Sequence, residues 1–250
     1  MLEWPRYSVY KTPEYLELRK KIRNPGPGRP KAWAYPWCIL NGQLHEHLFS
    51  LDFGCGSKSN FTYYISEITK SMTIGADLSR LQEDSGSVRF VQNRIDRLEF
   101  PDDFFDRIFS ISVLEHVPLN KRAEVLTEIF RVLRPGGLAV FTIDWIFGMN
   151  DRLLEQLIAS RDLGRIGSNI FGNYDFSRLI SDYEHLISPL LPINEKYLPG
   201  SAAFDEERIL ADEDMLVSES DNVTDVELFK YTTVGLILKK QGKADCVRTL

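Results

Sequence analysis

Three observations predict an α/β fold with a mostly parallel sheet covered by helices on both faces. From His47 to Asp144, short apolar runs alternate with stretches whose apolar residues recur at helical spacing. The first run ends in a turn with two glycines, Asp52-Phe53-Gly54-Cys55-Gly56, which leads straight into a helical stretch. A β-branched and apolar segment, Val226 to Lys239, reads as the final antiparallel strand, part of a hairpin. Strands that alternate with helices pair in parallel, because each crossover returns the chain to the same end of the sheet.

The elements follow in order. His47-Leu48-Phe49-Ser50-Leu51 reads as a short buried strand ending at Asp52, and Phe61 to Ile68 as the helix after the turn. Met72 to Ala76 is the second strand and ends in Asp77, with a short helix after Leu78. Ser87 to Gln92 and Asp106 to Ser112 are the third and fourth strands. Lys121 to Leu133 carries Ala123, Val125, Leu126, Ile129, Phe130 and Leu133 at helical spacing, and Pro135-Gly136-Gly137 turns it into the fifth strand, Leu138 to Ile143. Beyond Asp144 the expectation is a helix over residues 151–158, a glycine-bearing connection over 161–173 and a helix over 176–186.

Ahead of the first strand, residues 1–44 form an aromatic-rich extension with Trp4, Tyr7, Tyr10, Tyr15, Trp33, Tyr35 and Trp37. Tyr15 to Ile22 reads as one short helix. Asn24 to Pro30, with three prolines and two glycines, reads as irregular. The aromatics either fold over a ligand as a lid or pack on the outer helices.

At 250 residues, with 43% hydrophobic and 26% charged residues, the chain has the composition of an ordinary globular protein with one sizeable core. A net charge of −6 argues against a general phosphate-binding surface, so no nucleic-acid partner is expected. Cys38, Cys55 and Cys246 show no paired spacing, which suits reduced thiols and a cytoplasmic setting. No apolar run is long enough to span a bilayer, and no signal-peptide core is present. His45-x-His47 has a ligand-like spacing but abuts a buried strand and reads as structural, so no metal is expected.

The glycine turn carries chemistry. Glycines allow close backbone approach to a ligand, and Asp77, about twenty residues on, stands where a nucleotide-binding βαβ unit places an acid for ribose hydroxyls. Its alternative role is an N-cap of the short helix after it. The third glycine of a dinucleotide turn is missing, with Ser59 in its place, and Asp52 suits an ammonium group better than a phosphate. A nucleoside with a cationic or amino-bearing tail fits, and S-adenosylmethionine is such a ligand.

The stretches LDFGCGS, IGADLS, FPDDFFDRIFSISVLEHV and LTEIFRVLRPGGLAVFTID resemble the successive motifs of class I S-adenosylmethionine-dependent methyltransferases, in that family's order and spacing. They are similar to the methyltransferase type 11-like subgroup that carries Leu-Glu-His after the fourth strand. The resemblance covers about residues 48–144. It implies a Rossmann-like, mostly parallel seven-stranded sheet with helices on both faces and an antiparallel final strand. It also implies one methyltransferase domain over residues 45–250, elaborated on the substrate side at about 145–225.

Carried onto this sequence, the resemblance implies that Asp52, Gly54, Cys55, Gly56, Asp77 and Leu78 bind the cofactor, with Asp52 orienting the methionine amino group. Asn93, Arg94 and Ile95 stand where the family commonly has Gly-Asp-Ala against adenine, and Asp96 is a substitute acid. Ser112 and Val113 flank the donor methyl. His116 either takes the acceptor's proton as a general base or pins its loop, Glu115 braces the turn or caps a helix, and Asp144 borders the acceptor. The expected activity is in-line methyl transfer to a small-molecule or glycan acceptor, with O-methylation favoured and S-adenosylhomocysteine as product. The alternatives are a non-catalytic S-adenosylmethionine-binding protein and a nicotinamide-dependent oxidoreductase.

Overall fold

A computed structural model describes residues 2–3, 5–22, 28–56, 60–78, 83–94, 96–117, 119–147, 211–215, 217–220 and 227–240. In chain order these form β1 (Leu2–Glu3), a 3-10 turn (Tyr7–Lys11), α1 (Pro13–Ile22), α2 (Gly28–Asn41), β2 (Ser50–Phe53), α3 (Asn60–Thr69) and β3 (Thr73–Asp77). There follow β4 (Val88–Gln92), β5 (Phe105–Ile111), a second 3-10 turn (Leu114–His116), α4 (Leu119–Val132), β6 (Leu133–Phe147), β7 (Val217–Ser220) and β8 (Glu227–Lys239).

The sheet runs β1-β8-β6-β5-β2-β3-β4, with β7 also on β8. Pairings within β4-β3-β2-β5-β6 are all parallel, whereas β8 is antiparallel to β6. The chain builds outward from β2 to β3 and β4, then starts again on the other side with β5 and β6. The order therefore reverses between β2 and β5, where open α/β sheets bind ligands beyond the strands' carboxyl ends.

Alternation along the strands divides the interior in two. In β6, Ala139, Phe141 and Ile143 join one buried cluster, while Leu138 and Val140 join the other. The first cluster is closed by Val125, Leu126, Ile129 and Phe130 of α4, which stand on one face of that helix at positions four apart or adjacent. The second is closed by Tyr15 and Ile22 of α1, Trp33 and Trp37 of α2, and Phe61 and Ile65 of α3. The N-terminal aromatics are thus a core layer: Trp33 stacks on Trp37 at 5.3 Å, and Phe61 meets Phe109 edge-on at 5.5 Å.

The Rossmann-like, mostly parallel sheet with its antiparallel final strand matches the sequence prediction, but the count of seven does not. Six strands form the body, and the short β1 and β7 both pair antiparallel with β8. The first core strand starts at Ser50, later than expected. His47 adopts φ +71° and donates its N–H to Thr69 O, so the chain is still turning there. The segment expected to be irregular up to Pro30 is also corrected, because α2 already begins at Gly28. Proline is tolerated in a first helical turn, where its missing N–H has no intrahelical partner to lose. The short helix after Leu78 and the features expected over residues 151–186 lie outside the described residues.

Residues 211–215 are bound to the N-terminal segment. Asp214 accepts the Ser8 N–H and hydroxyl at 2.7 Å each, and Arg6 pairs with Asp212 at 3.1 Å. No helix among the described residues is long and apolar enough to cross a membrane.

The aromatic layer generates a packing prediction. A Cβ at Gly235 of β8 would lie 2.4 Å from Cζ2 of the buried Trp37. Gly235→Ala should therefore displace the Trp37 ring and destabilise the protein by about 1–3 kcal/mol. Thermal unfolding followed by circular dichroism checks this; an unchanged midpoint would show that α2 yields freely.

Candidate functional site

The site is built where β2, β3 and β5 end together. β2 runs in parallel between β3 and β5, so all three carboxyl ends point the same way. After Phe53 the backbone enters the left-handed region at Gly54 (φ +73°) and again at Gly56 (φ +68°). These conformations favour glycine. Ala76 O accepts the N–H of both Gly54 and Cys55, at 2.8 and 3.3 Å, which clamps the turn onto β3. The Gly56 N–H, in turn, donates to Asp77 Oδ2 at 3.0 Å.

An open cleft of about 350 Å³ lies against this turn, lined by Phe53, Gly54, Ala76 and Asp77 on one side and by Leu78, Asn93, Arg94 and Val113 around it. Five of the sequence-predicted residues other than glycine thus meet at one place: Asp77, Leu78, Asn93, Arg94 and Val113. Gly54 is required sterically as well as conformationally. A Cβ there would sit 2.4 Å from Val113 Cγ2, whereas nothing lies within 4 Å of one at Gly56. Leu78, 58% exposed, offers an apolar surface at the cleft edge. Burial raises the Cys55 thiol well above its ordinary range, so Cys55 contributes backbone position, not a thiolate.

Other predicted residues have first duties within the fold. Asp52 is only 3% exposed and accepts the Thr62 hydroxyl at 2.6 Å, which ties β2 to α3. Asn93 is buried, and its side-chain oxygen accepts the Glu99 N–H at 3.4 Å. Arg94 forms a two-point pair with Asp96, both contacts at 2.9 Å, so the acid expected as a substitute on adenine is occupied by its neighbour. Ile95 lies outside the described residues. Ser112 holds φ +51° while its N–H donates to Thr142 O at 2.9 Å, and its buried hydroxyl has no hydrogen-bond partner.

A second polar group stands beside the cleft, at the ends of β5, β6 and β8. Glu115 is 1% exposed; its Oε1 accepts the Asp144 N–H at 3.0 Å and its Oε2 has no hydrogen-bond partner. Burial first, then the Asp144 carboxylate, push the Glu115 carboxyl up to about 8. Asp144 Oδ1 accepts from Thr233 Oγ1 at 2.8 Å, and Thr233 Oγ1 accepts from the Tyr7 hydroxyl at 3.2 Å. His116 is exposed, and desolvation draws its pKa below 6.5, partly offset by Asp144. Tyr35 of α2 feels Asp52 and Cys55, and Lys31 of α2 acts on Glu115 and His116, so α2 borders the site as well as filling the core. Sequence reasoning missed this network, since Tyr7, Glu115, Asp144 and Thr233 meet only through the sheet.

The arrangement fits a nucleoside with a charged tail. A carboxylate has acceptor sites enough for the Gly56 N–H and for a ribose diol. The cradle at Gly54 would be filled by any side chain, and the Ser112 hydroxyl is a buried polar atom without a partner.

Comparison with known proteins agrees with this geometry. Residues 51–141 match the family model of the methyltransferase domain. Sterol 24-C-methyltransferase of Pneumocystis carinii is 27% identical over 143 residues, 51% of this chain and 37% of that protein. Fatty-acid O-methyltransferase of Mycolicibacterium smegmatis is 27% identical over 176 residues, 63% of this chain and 62% of that protein. The chain therefore spans less than two thirds of either relative. Among solved structures, phosphoethanolamine N-methyltransferase 2 of Haemonchus contortus, determined with S-adenosyl-L-methionine, superimposes with a TM-score of 0.57 at 16% identity, over 95% of this chain and 60% of that one. Residues 51–141, which carry the linked motifs and the glycine turn where the sheet reverses, thus match the methyltransferase domain.

Proposed function

We propose that this protein transfers a methyl group from S-adenosylmethionine to a hydroxyl or carboxyl oxygen of a small-molecule or glycan acceptor. The observation that carries the reading is Asp77: its carboxylate is fixed by the Gly56 N–H in a cleft that Val113 also lines. Bound there, the cofactor supplies an electrophilic methyl on a sulfonium. The protein's own residues have three tasks. Asp77 would hold the ribose hydroxyls, Gly54 and Val113 shape the apolar wall, and the acceptor-side residues bring an oxygen into line.

Oxygen as acceptor atom is supported by the fatty-acid O-methyltransferase similarity, and a small acceptor by the net charge of −6, which disfavours a polyanion. The N-terminal extension supports a role on the acceptor side, since α2 brings Lys31 and Tyr35 to the site. His116 is the proposed general base. Held below 6.5, its imidazole is neutral above pH 7 and able to accept the proton of a hydroxyl acceptor as the new O–CH₃ bond forms and the S–CH₃ bond breaks, whereas a carboxylate acceptor has no proton to give.

A labelled-donor screen across fatty acids, sterols, glycans and RNA tests the acceptor. Transfer to a hydroxyl or carboxyl of a small acceptor is expected, and transfer to RNA alone would overturn it. Asp77→Ala should weaken S-adenosylhomocysteine binding at least about tenfold by calorimetry, since each lost charge-assisted hydrogen bond contributes roughly 1.5–3 kcal/mol. Equal affinity in a folded variant would remove Asp77 from the site. For His116→Ala, turnover at pH 8 should drop by about 10²–10⁴, and the acid limb of the pH–rate profile should vanish. A loss smaller than about tenfold would make alignment, not base catalysis, the source of rate.

A further inference from the structure

We propose that Glu115 is a positioning residue that holds the acceptor-side wall to the cofactor cleft, and that it does so only while it carries its proton. The inference rests on the cofactor reading above. Glu115 lies in the turn that follows Val113, and Val113 lines the cleft against Gly54. Through Oε1 it receives the N–H of Asp144, which joins this turn to the end of β6. Its Oε2 is buried without a hydrogen-bond partner.

An ionised carboxylate in that place would leave a charged oxygen desolvated and unbonded beside a second carboxylate. A neutral acid removes the charge and its repulsion by Asp144, leaving only the smaller cost of an unbonded O–H. The groups around it come from every side. Asp144 of β6 repels its charge, and Lys31 of α2 favours it. Arg122 of α4 is committed to backbone, its Nη2 to Glu115 O at 3.2 Å and its Nε to Val117 O at 3.0 Å. His116, on the same turn, titrates below 6.5, and burial pushes Tyr7 up to about 12. Cys38 and Cys55 are both raised far from neutrality by burial. Among these groups, Glu115, raised to about 8, is the one placed to titrate between pH 7 and 9.

The sign follows from that rise. The folded form holds a proton that the unfolded chain releases near 4.5, so stability falls as pH climbs from there to about 8 and is level above it. Loss of the proton sets a buried Glu115 charge against the part-buried Asp144 and drives the Val113 turn away from β6, which opens the cleft wall.

The test is a titration of the full chain with S-adenosylhomocysteine from pH 6.5 to 9.5, with thermal unfolding over the same range. Wild-type affinity should fall at least about threefold across pH 8, while Glu115→Gln, which keeps the acceptor for Asp144 N–H and cannot ionise, should bind evenly throughout. Asp144→Asn removes the neighbouring charge and should move the wild-type inflection to lower pH, which keeps the test open if the glutamine variant fails to fold. A Glu115→Gln profile that bends like wild type, or a fall in stability with flat binding, would overturn the proposal. Absence of binding by the wild type at every pH would instead overturn the cofactor reading, and this one with it.

Discussion

The site depends on one backbone tie. Ala76 O accepts two successive N–H groups from the glycine turn, and the next residue, Asp77, accepts a third through its carboxylate. A chain leaving β2 must double back sharply to present three N–H groups to β3 in this way. Two left-handed glycines make that possible. Through the same tie Asp77, the turn and the cleft are fixed together at the point where the strand order reverses.

Around this unit the two apolar layers do different work. The α4 layer is a plain amphipathic closure of the sheet. The layer of α1, α2 and α3 is aromatic and doubles as a wall of the site, because α2 carries Trp33 and Trp37 into the core and brings Lys31 and Tyr35 toward the carboxylates.

Methyl transfer from a sulfonium asks little of a protein beyond alignment, which explains how one fold accommodates a sterol carbon in one relative and a fatty-acid oxygen in another. In this chain the polar contacts that run from Tyr7 through Thr233 and Asp144 to Glu115 join four separate elements. Removing one member leaves its neighbour desolvated, so the network responds as a unit.

The sequence by itself determined the parallel sheet, the glycine turn and the acid at the end of β3, because each is a local signal: a run of apolar residues, a pair of glycines, a carboxylate at fixed distance. It also placed Asn93, Arg94 and Val113 at strand ends, and those ends share one mouth in any parallel sheet. Tertiary structure alone decided what each side chain does there. Asp52 is taken by Thr62 and Asp96 by Arg94, contacts of ten and two residues' separation that compete with any ligand. The aromatics of the N-terminal extension became a core layer because Gly235, nearly two hundred residues later, leaves room for Trp37. Glu115 and Asp144 meet because β5 and β6 are neighbours, and the burial of Glu115, which no spacing in the chain encodes, raises its carboxyl.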